Sequence, residues 1–119
     1  MRISEELRSR TREIASAIIK IYIGLPRTRE EVSILGRQML RSGTSVASHA
    51  REASRARSDS EFCSKLDGLL QEADETGLWI ELLIEDCGIT DPQLHILHRE
   101  LGEIIAIFTT IVSKVRRNL

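Results

Sequence analysis

Residues 36–53 read GRQMLRSGTSVASHAREA, and taken as one helix they predict three faces with three different jobs. At about 100° per residue, Arg37, Arg41, Arg51 and, just beyond, Arg55 fall within roughly 40° of one line, with Thr44 and Ser48 filling the gap between the pairs. The opposite side carries Val32, Leu35, Met39, Val46, Ala50 and Ala53, the pattern of a helix that buries one face. Between the two runs a strip of small residues, with Gly36, Gly43 and Ala50 at heptad spacing beside Leu40, Ala47 and Ser54. A neighbouring helix can come close to the backbone there. Gly43 costs on the order of 1 kcal/mol against alanine in a helix interior. The alternative is a break into two helices at Ser42-Gly43.

Working outward, residues 4–23 form an earlier amphipathic helix. Ser4 is placed to cap it ahead of Glu5 and Glu6. Leu7, Thr11, Ile14, Ile18, Ile21 and Leu25 recur at intervals of three and four, while Arg8, Arg10, Arg12 and Lys20 lie off that line. Gly24-Leu25-Pro26 ends it, with the glycine expected as the cap. A capping box of Thr28 with Glu31 opens the second helix, about 29–54, and Ser58 with Glu61 opens a third over about 59–87. In that third helix Phe62, Leu66, Leu69, Ala73, Thr76, Ile80, Leu83 or Ile84, and Cys87 hold the helical rhythm up to Gly88. Thr90, Asp91 and Pro92 start a last helix, whose seam is Leu94, Leu97, Leu101, Ile104, Phe108, Ile111 and Val115. Four such helices with short connections and no strand-like alternation predict a single domain over residues 1–119: an all-α, up-down-up-down antiparallel four-helix bundle.

The net charge is −1, but it is unevenly spread. Residues 27–57 carry +4 and residues 58–91 carry −9. Asp67, Asp74, Glu81 and Glu85 line one flank of the third helix, a natural complement to the arginine row. Aromatic residues make up 3% of the chain, which argues against a stacking platform for single-stranded bases. No run approaches the length of a membrane span, and no signal-peptide pattern opens the chain, so a cytoplasmic protein is expected. Cys63 and Cys87 would lie roughly 36 Å apart along one helix, too far to bridge, and read as buried small hydrophobes.

Catalytic chemistry finds no parts. There is no glycine-rich phosphate loop, nucleophile elbow or zinc-protease signature. His95 and His98 are two ligands where a stable zinc site needs three or four, and Asp74 and Glu75 point about 100° apart on a helix. No catalytic residue, metal or cofactor is expected. Arg37, Arg41, Arg51 and Arg55 are the candidate nucleic-acid-binding residues, because guanidinium forks match phosphate oxygens. Their alternative use is pairing with the acidic stripe, or with Glu52, to organise the assembly. Leu78, Trp79 and Leu82 fall off the core line of the third helix and are expected to contact another subunit.

Two segments carry a family resemblance. LGRQMLRSGTSVASHAREA (residues 35–53) and SEFCSKLDGLLQEADETGLWIELLIE (residues 60–85) resemble the small bacterial four-helix-bundle proteins encoded by intervening sequences of 23S ribosomal RNA genes, a group that includes the accessory variability proteins of diversity-generating retroelements. Where relatives often read SVGANYREA, residues 45–53 read SVASHAREA, with His49 in place of an asparagine. The resemblance implies a homopentameric ring and, for the retroelement branch, a basic surface that binds nucleic acid and a reverse transcriptase. The expectation is therefore a non-catalytic homo-oligomeric scaffold that meets RNA, DNA or an RNA–protein complex through the arginine row. The alternative is a protein–protein interaction module whose arginines are taken up by carboxylates in the assembly.

Overall fold

Three short connections turn the chain through four helices in the computed structural model, which describes residues 2–119. These are α1 (Glu5–Gly24), α2 (Glu30–Ser54), α3 (Asp59–Glu85) and α4 (Pro92–Arg117). Each packs against its neighbours in sequence, and α4 closes back on α1. The result measures 48 × 20 × 19 Å, one helix length by two helix widths.

Side-chain registers show that every neighbour runs antiparallel. Gly36 lies against Tyr22 and Leu25, and Gly43 against Ile18. Across the next interface Ser42 meets Thr76 and Glu52 meets Lys65. Glu81 meets His98 and Asp67 meets Arg116 at the third, and Arg10 meets Glu100 at the last. The predicted up-down-up-down bundle is the one observed, and α2 runs unbroken through Gly43.

The apolar spacings become the core. Ile18, Met39, Phe62, Leu66, Leu101 and Phe108 are among the fully buried side chains, each contributing about 1.5–3 kcal/mol of transfer free energy. Gly43 is the point of closest approach: a Cβ built there would lie 2.0 Å from Ile18 Cδ1. Deep in the α2–α3 interface the hydroxyls of Ser42 and Thr76, both fully buried, meet at 2.7 Å. In α4 the seam drifts, so that Val112 is buried while Ile111 and Val115 are half-buried. A straight helix rotates about 20° per heptad against a 3.5-residue repeat, and by the third heptad the inward position has moved on by one.

The helix ends depart from expectation in two places. Gly24 is the last helical residue of α1 and has no positive φ; the extended Leu25 ends the helix and donates its N–H to the Tyr22 carbonyl. Thr28 does not cap α2. Arg29 N–H bonds the Pro26 carbonyl at 3.2 Å, closing a turn that holds Thr28 one residue ahead of the cap, and Arg29 takes that position without a side-chain bond. Ser4, Ser58 and Asp91 cap α1, α3 and α4 as expected. Gly88, at φ 70°, supplies the left-handed residue after α3.

The interface between α1 and α4 is the thinnest of the four. Cavities of about 180 and 280 Å³ lie along it. Arg10 bridges it, bonding Glu100 at 2.8 Å and Glu103 at 3.4 Å. These partners, Glu100 foremost, hold the guanidinium pKa above its ordinary value.

Candidate functional site

The arginine row of α2 does not stay together. Arg41 and Arg51 sit about 80° apart around the helix, enough to lean them toward opposite neighbours. Arg41 turns to α3 and reaches Glu72 and Glu75, both at 3.5 Å. Arg51 and Arg55 turn to α1. Arg37 stays at the exposed surface and donates to Ser33 Oγ at 2.9 Å.

On the α1 side the two arginines meet two more that the sequence did not single out. Glu5, Arg8, Ser9, Thr11 and Arg12 of α1, with Ala47, Ala50, Arg51 and Ser54 of α2 and Arg55 beside them, line a cavity of about 320 Å³. Arg8 and Arg12 are one turn apart on α1, and Arg51 and Arg55 one turn apart on the antiparallel α2. Four arginines, two from each helix, thus border one cavity over a floor of alanine and hydroxyl residues. The hydroxyls of Thr11 and Ser54 are spent on the carbonyls of Arg8 and Arg51, so the guanidiniums and the Ser9 hydroxyl are left as the donors. Glu5 is the one carboxylate on the lining. Among the described residues none of the four arginines makes an ion pair (compare the pairs formed elsewhere), and Arg8 Nε is buried with no hydrogen-bond partner.

What brings Arg8 and Arg12 there is the register of α1 on α2. Paired residues of an antiparallel hairpin keep a nearly constant sum of their numbers, so the register that sets Gly43 on Ile18 also brings 51 opposite the region of 10.

The acidic flank of α3 is answered elsewhere than expected. Asp67 takes Arg116 of α4, whose pKa it raises. Glu81 takes His98 Nε2 at 2.8 Å. Glu52 bonds Lys65 and not Arg51. No ion pair joins Asp74 or Glu85 to the arginine row among the described residues, so the row's only acidic partners there are Glu72 and Glu75.

The expected subunit contact also divides. Leu78 is exposed, at 46%. Trp79 is half-buried and packs against the chain's own core, with Nε1 buried and unbonded. Leu82 is half-buried. The strip that carries Trp79 and Leu82 also carries Glu72 and Glu75, and the Arg41 contacts place it beside α2. Other large exposed aliphatics are Ile19, Ile23, Ile34 and Ile96. His49 packs its ring over Gly68, and Cys63 and Cys87 are buried free thiols. Among the described residues no cluster of three potential ligands could hold a metal ion, and no helix is long and apolar enough to cross a membrane.

The sequence profile of the 23S rRNA-intervening sequence proteins matches residues 5–110. The chain belongs to that family. In the solved structures, a protein of unknown function from the S23 ribosomal protein family of Bacteroides thetaiotaomicron superposes with a TM-score of 0.81 at 34% identity. The match covers 89% of this chain and 97% of that one. None of the curated proteins is significantly similar in sequence. Membership of the 23S rRNA-intervening sequence family agrees with four helices in this order, and the family and its solved relative carry no assigned activity.

Proposed function

We propose that this protein is a non-catalytic binding module that engages RNA through phosphate contacts made by arginines of α1 and α2. One observation carries the reading: Arg8, Arg12, Arg51 and Arg55 surround one cavity and have no ion-pair partner among the described residues. Other arginines, Arg2, Arg10, Arg41 and Arg116 among them, pair with carboxylates, and the unpaired ones outside the cleft, such as Arg37, do not line this cavity. Unpaired guanidinium forks brought close together repel one another, and phosphate oxygens supply what they lack. The scarcity of aromatic side chains fits recognition by backbone and shape instead of base stacking.

The competing use of the row, as pairing that organises an assembly, is favoured by Arg41 with Glu72 and Glu75 and by no other member. A homo-oligomer belongs to the proposal, supported by large aliphatics exposed on all four helices: Ile19 and Ile23, Ile34, Leu78, and Ile96.

The test is fluorescence anisotropy of a labelled structured RNA titrated with protein across a salt series, with native mass spectrometry of the same sample. Binding that weakens with salt and is lost on Arg51→Glu with Arg55→Glu, the oligomer staying intact, supports the reading. Dissociation of the oligomer by the same pair moves the arginines into the assembly. Absence of binding at low salt ends the RNA proposal.

A further inference from the structure

The geometry points to the α1–α2 cleft as a discrete site for linked phosphates, such as a pyrophosphate group or the triphosphate end of an RNA, and not as part of a track along a continuous backbone. This rests on the phosphate-binding reading above and sharpens it.

A track needs cations that continue along a line. Along α2 they do not. From Arg51 toward the helix start the outward positions are Ser48 and Thr44. The next arginine, Arg41, is held by Glu72 and Glu75, and Arg37 lies roughly 21 Å of helix rise from Arg51. Arg8, Arg12, Arg51 and Arg55 are instead doubled up, two per helix, each pair one turn or about 6 Å of rise apart, on helices that pack about 8–10 Å apart. These arginines concentrate four positive charges around a cavity of about 320 Å³, at the small end of the range for small-ligand sites.

One buried donor separates this cleft from a solvated surface patch. Arg8 Nε is out of contact with water and bonded to nothing, and a buried N–H of a charged group without an acceptor is among the costlier omissions in a fold. Thr11, Ala50 and Ser54 beneath it are buried, with the two hydroxyls already committed. Glu5, the one carboxylate on the lining, makes no ion pair with the four arginines, and a ligand that satisfies four forks at once has to be rich in oxygen and in negative charge. Linked phosphates meet both demands in the smallest volume. A single carboxylate or an isolated diester phosphate would leave two of the arginines unanswered.

Either of two sources could present that chemistry, the 5′ end of an RNA or a free nucleotide, and one experiment separates them. Anisotropy would compare one labelled RNA carrying a 5′-triphosphate with the same RNA carrying a 5′-hydroxyl, with inorganic pyrophosphate and ATP as competitors. Calorimetry would measure pyrophosphate and ATP binding directly. The Arg12→Gln and Arg55→Gln variants, both at exposed positions, serve as probes, with circular dichroism to verify the fold. We expect the triphosphate RNA to bind about tenfold tighter, a difference of about 1.4 kcal/mol, pyrophosphate to displace it, and either variant to erase the difference. Equal binding of the two RNAs with no pyrophosphate binding overturns the discrete site and leaves the RNA reading standing. Pyrophosphate and ATP binding that the variants abolish, without binding of either RNA, keeps the site, assigns it to free polyphosphates and removes the RNA reading. Binding that folded variants retain places it elsewhere and overturns the site. Absence of all binding overturns both.

Discussion

Thr76 Oγ1 lies 2.7 Å from Ser42 Oγ at the centre of the α2–α3 interface, and both residues are fully buried. Ser42 donates to the Gln38 carbonyl at 2.9 Å, which leaves its oxygen free to accept from Thr76. Thr76 has a second acceptor within reach, the Glu72 carbonyl at 2.7 Å. The two substitutions are therefore unequal. Thr76→Val leaves the Ser42 oxygen facing a methyl group and should cost about 1 kcal/mol. Ser42→Ala should cost less, because Thr76 can turn to Glu72. Urea denaturation of the two single variants and the double variant measures both the asymmetry and the coupling.

Gly43→Ala should destabilise the bundle although alanine is the better helix former. The added carbon would meet Ile18 Cδ1 at 2.0 Å and Ile18 Cγ1 at 3.2 Å, and overpacking of this kind costs about 1–3 kcal/mol against a propensity gain of about 1 kcal/mol. Ile18→Val removes the colliding methyl. Gly43→Ala placed on an Ile18→Val background should then be neutral or stabilising, and thermal denaturation of the set decides it.

The arginines of one row should respond with opposite signs. Arg41→Gln removes a partner from Glu72 and Glu75 and should lower stability by at most about 1 kcal/mol, as exposed pairs do. Arg55→Gln relieves repulsion among four unanswered charges and should leave stability unchanged or raised at low salt, with the difference fading as salt is added. The same exchange should leave RNA affinity nearly intact for Arg41→Gln and reduce it for Arg55→Gln.

The Glu52–Lys65 pair gives a pH dependence with a defined sign. The Lys65 ammonium, through its hydrogen bond, holds the Glu52 carboxyl below its ordinary range. A lowered carboxylate contributes stability that is present above its unfolded pKa and is lost as pH falls through the folded value. Lys65 is shifted upward by the same bond, so its contribution is lost only as pH rises through its folded value in the alkaline range. Lys65→Met should flatten the stability profile at both ends, a comparison that denaturant midpoints across pH will make.

How much of this was legible beforehand depended on whether a feature lives within one helix or between two. The apolar rhythm of Ile14, Ile18 and Ile21, or of Leu66, Leu69 and Ala73, is a property of one helix, and it placed the core and the bundle correctly. Gly43 could be read as a point of close approach because a mid-helix glycine needs a reason. The cleft could not be read the same way. Arg8 and Arg12 look like solvated charges on α1 until the hairpin register sets them opposite Arg51 and Arg55. Nor does a helical wheel show that Arg41 and Arg51, about 40° either side of one line, face different neighbours. The cap at Thr28 failed for a similar reason: its spacing to Glu31 is right, but the turn after Pro26 uses the residue first.

The unequal interfaces of the bundle set an order in which it comes apart. Three joints are broad, and the one between α1 and α4 is thin, hollowed by two cavities and bridged by Arg10. Four helices joined in this way behave as a clasp, whose hinge side is the α2–α3 hairpin and whose fastener is Arg10. Amides facing the α1–α4 joint would exchange with solvent through partial opening, while those around Ser42 and Thr76 would wait for global unfolding. A clasp that opens on one edge also keeps both outer helices paired to their inner neighbours as it parts, so α1 and α4 can be offered to another molecule without the hairpin between them being lost.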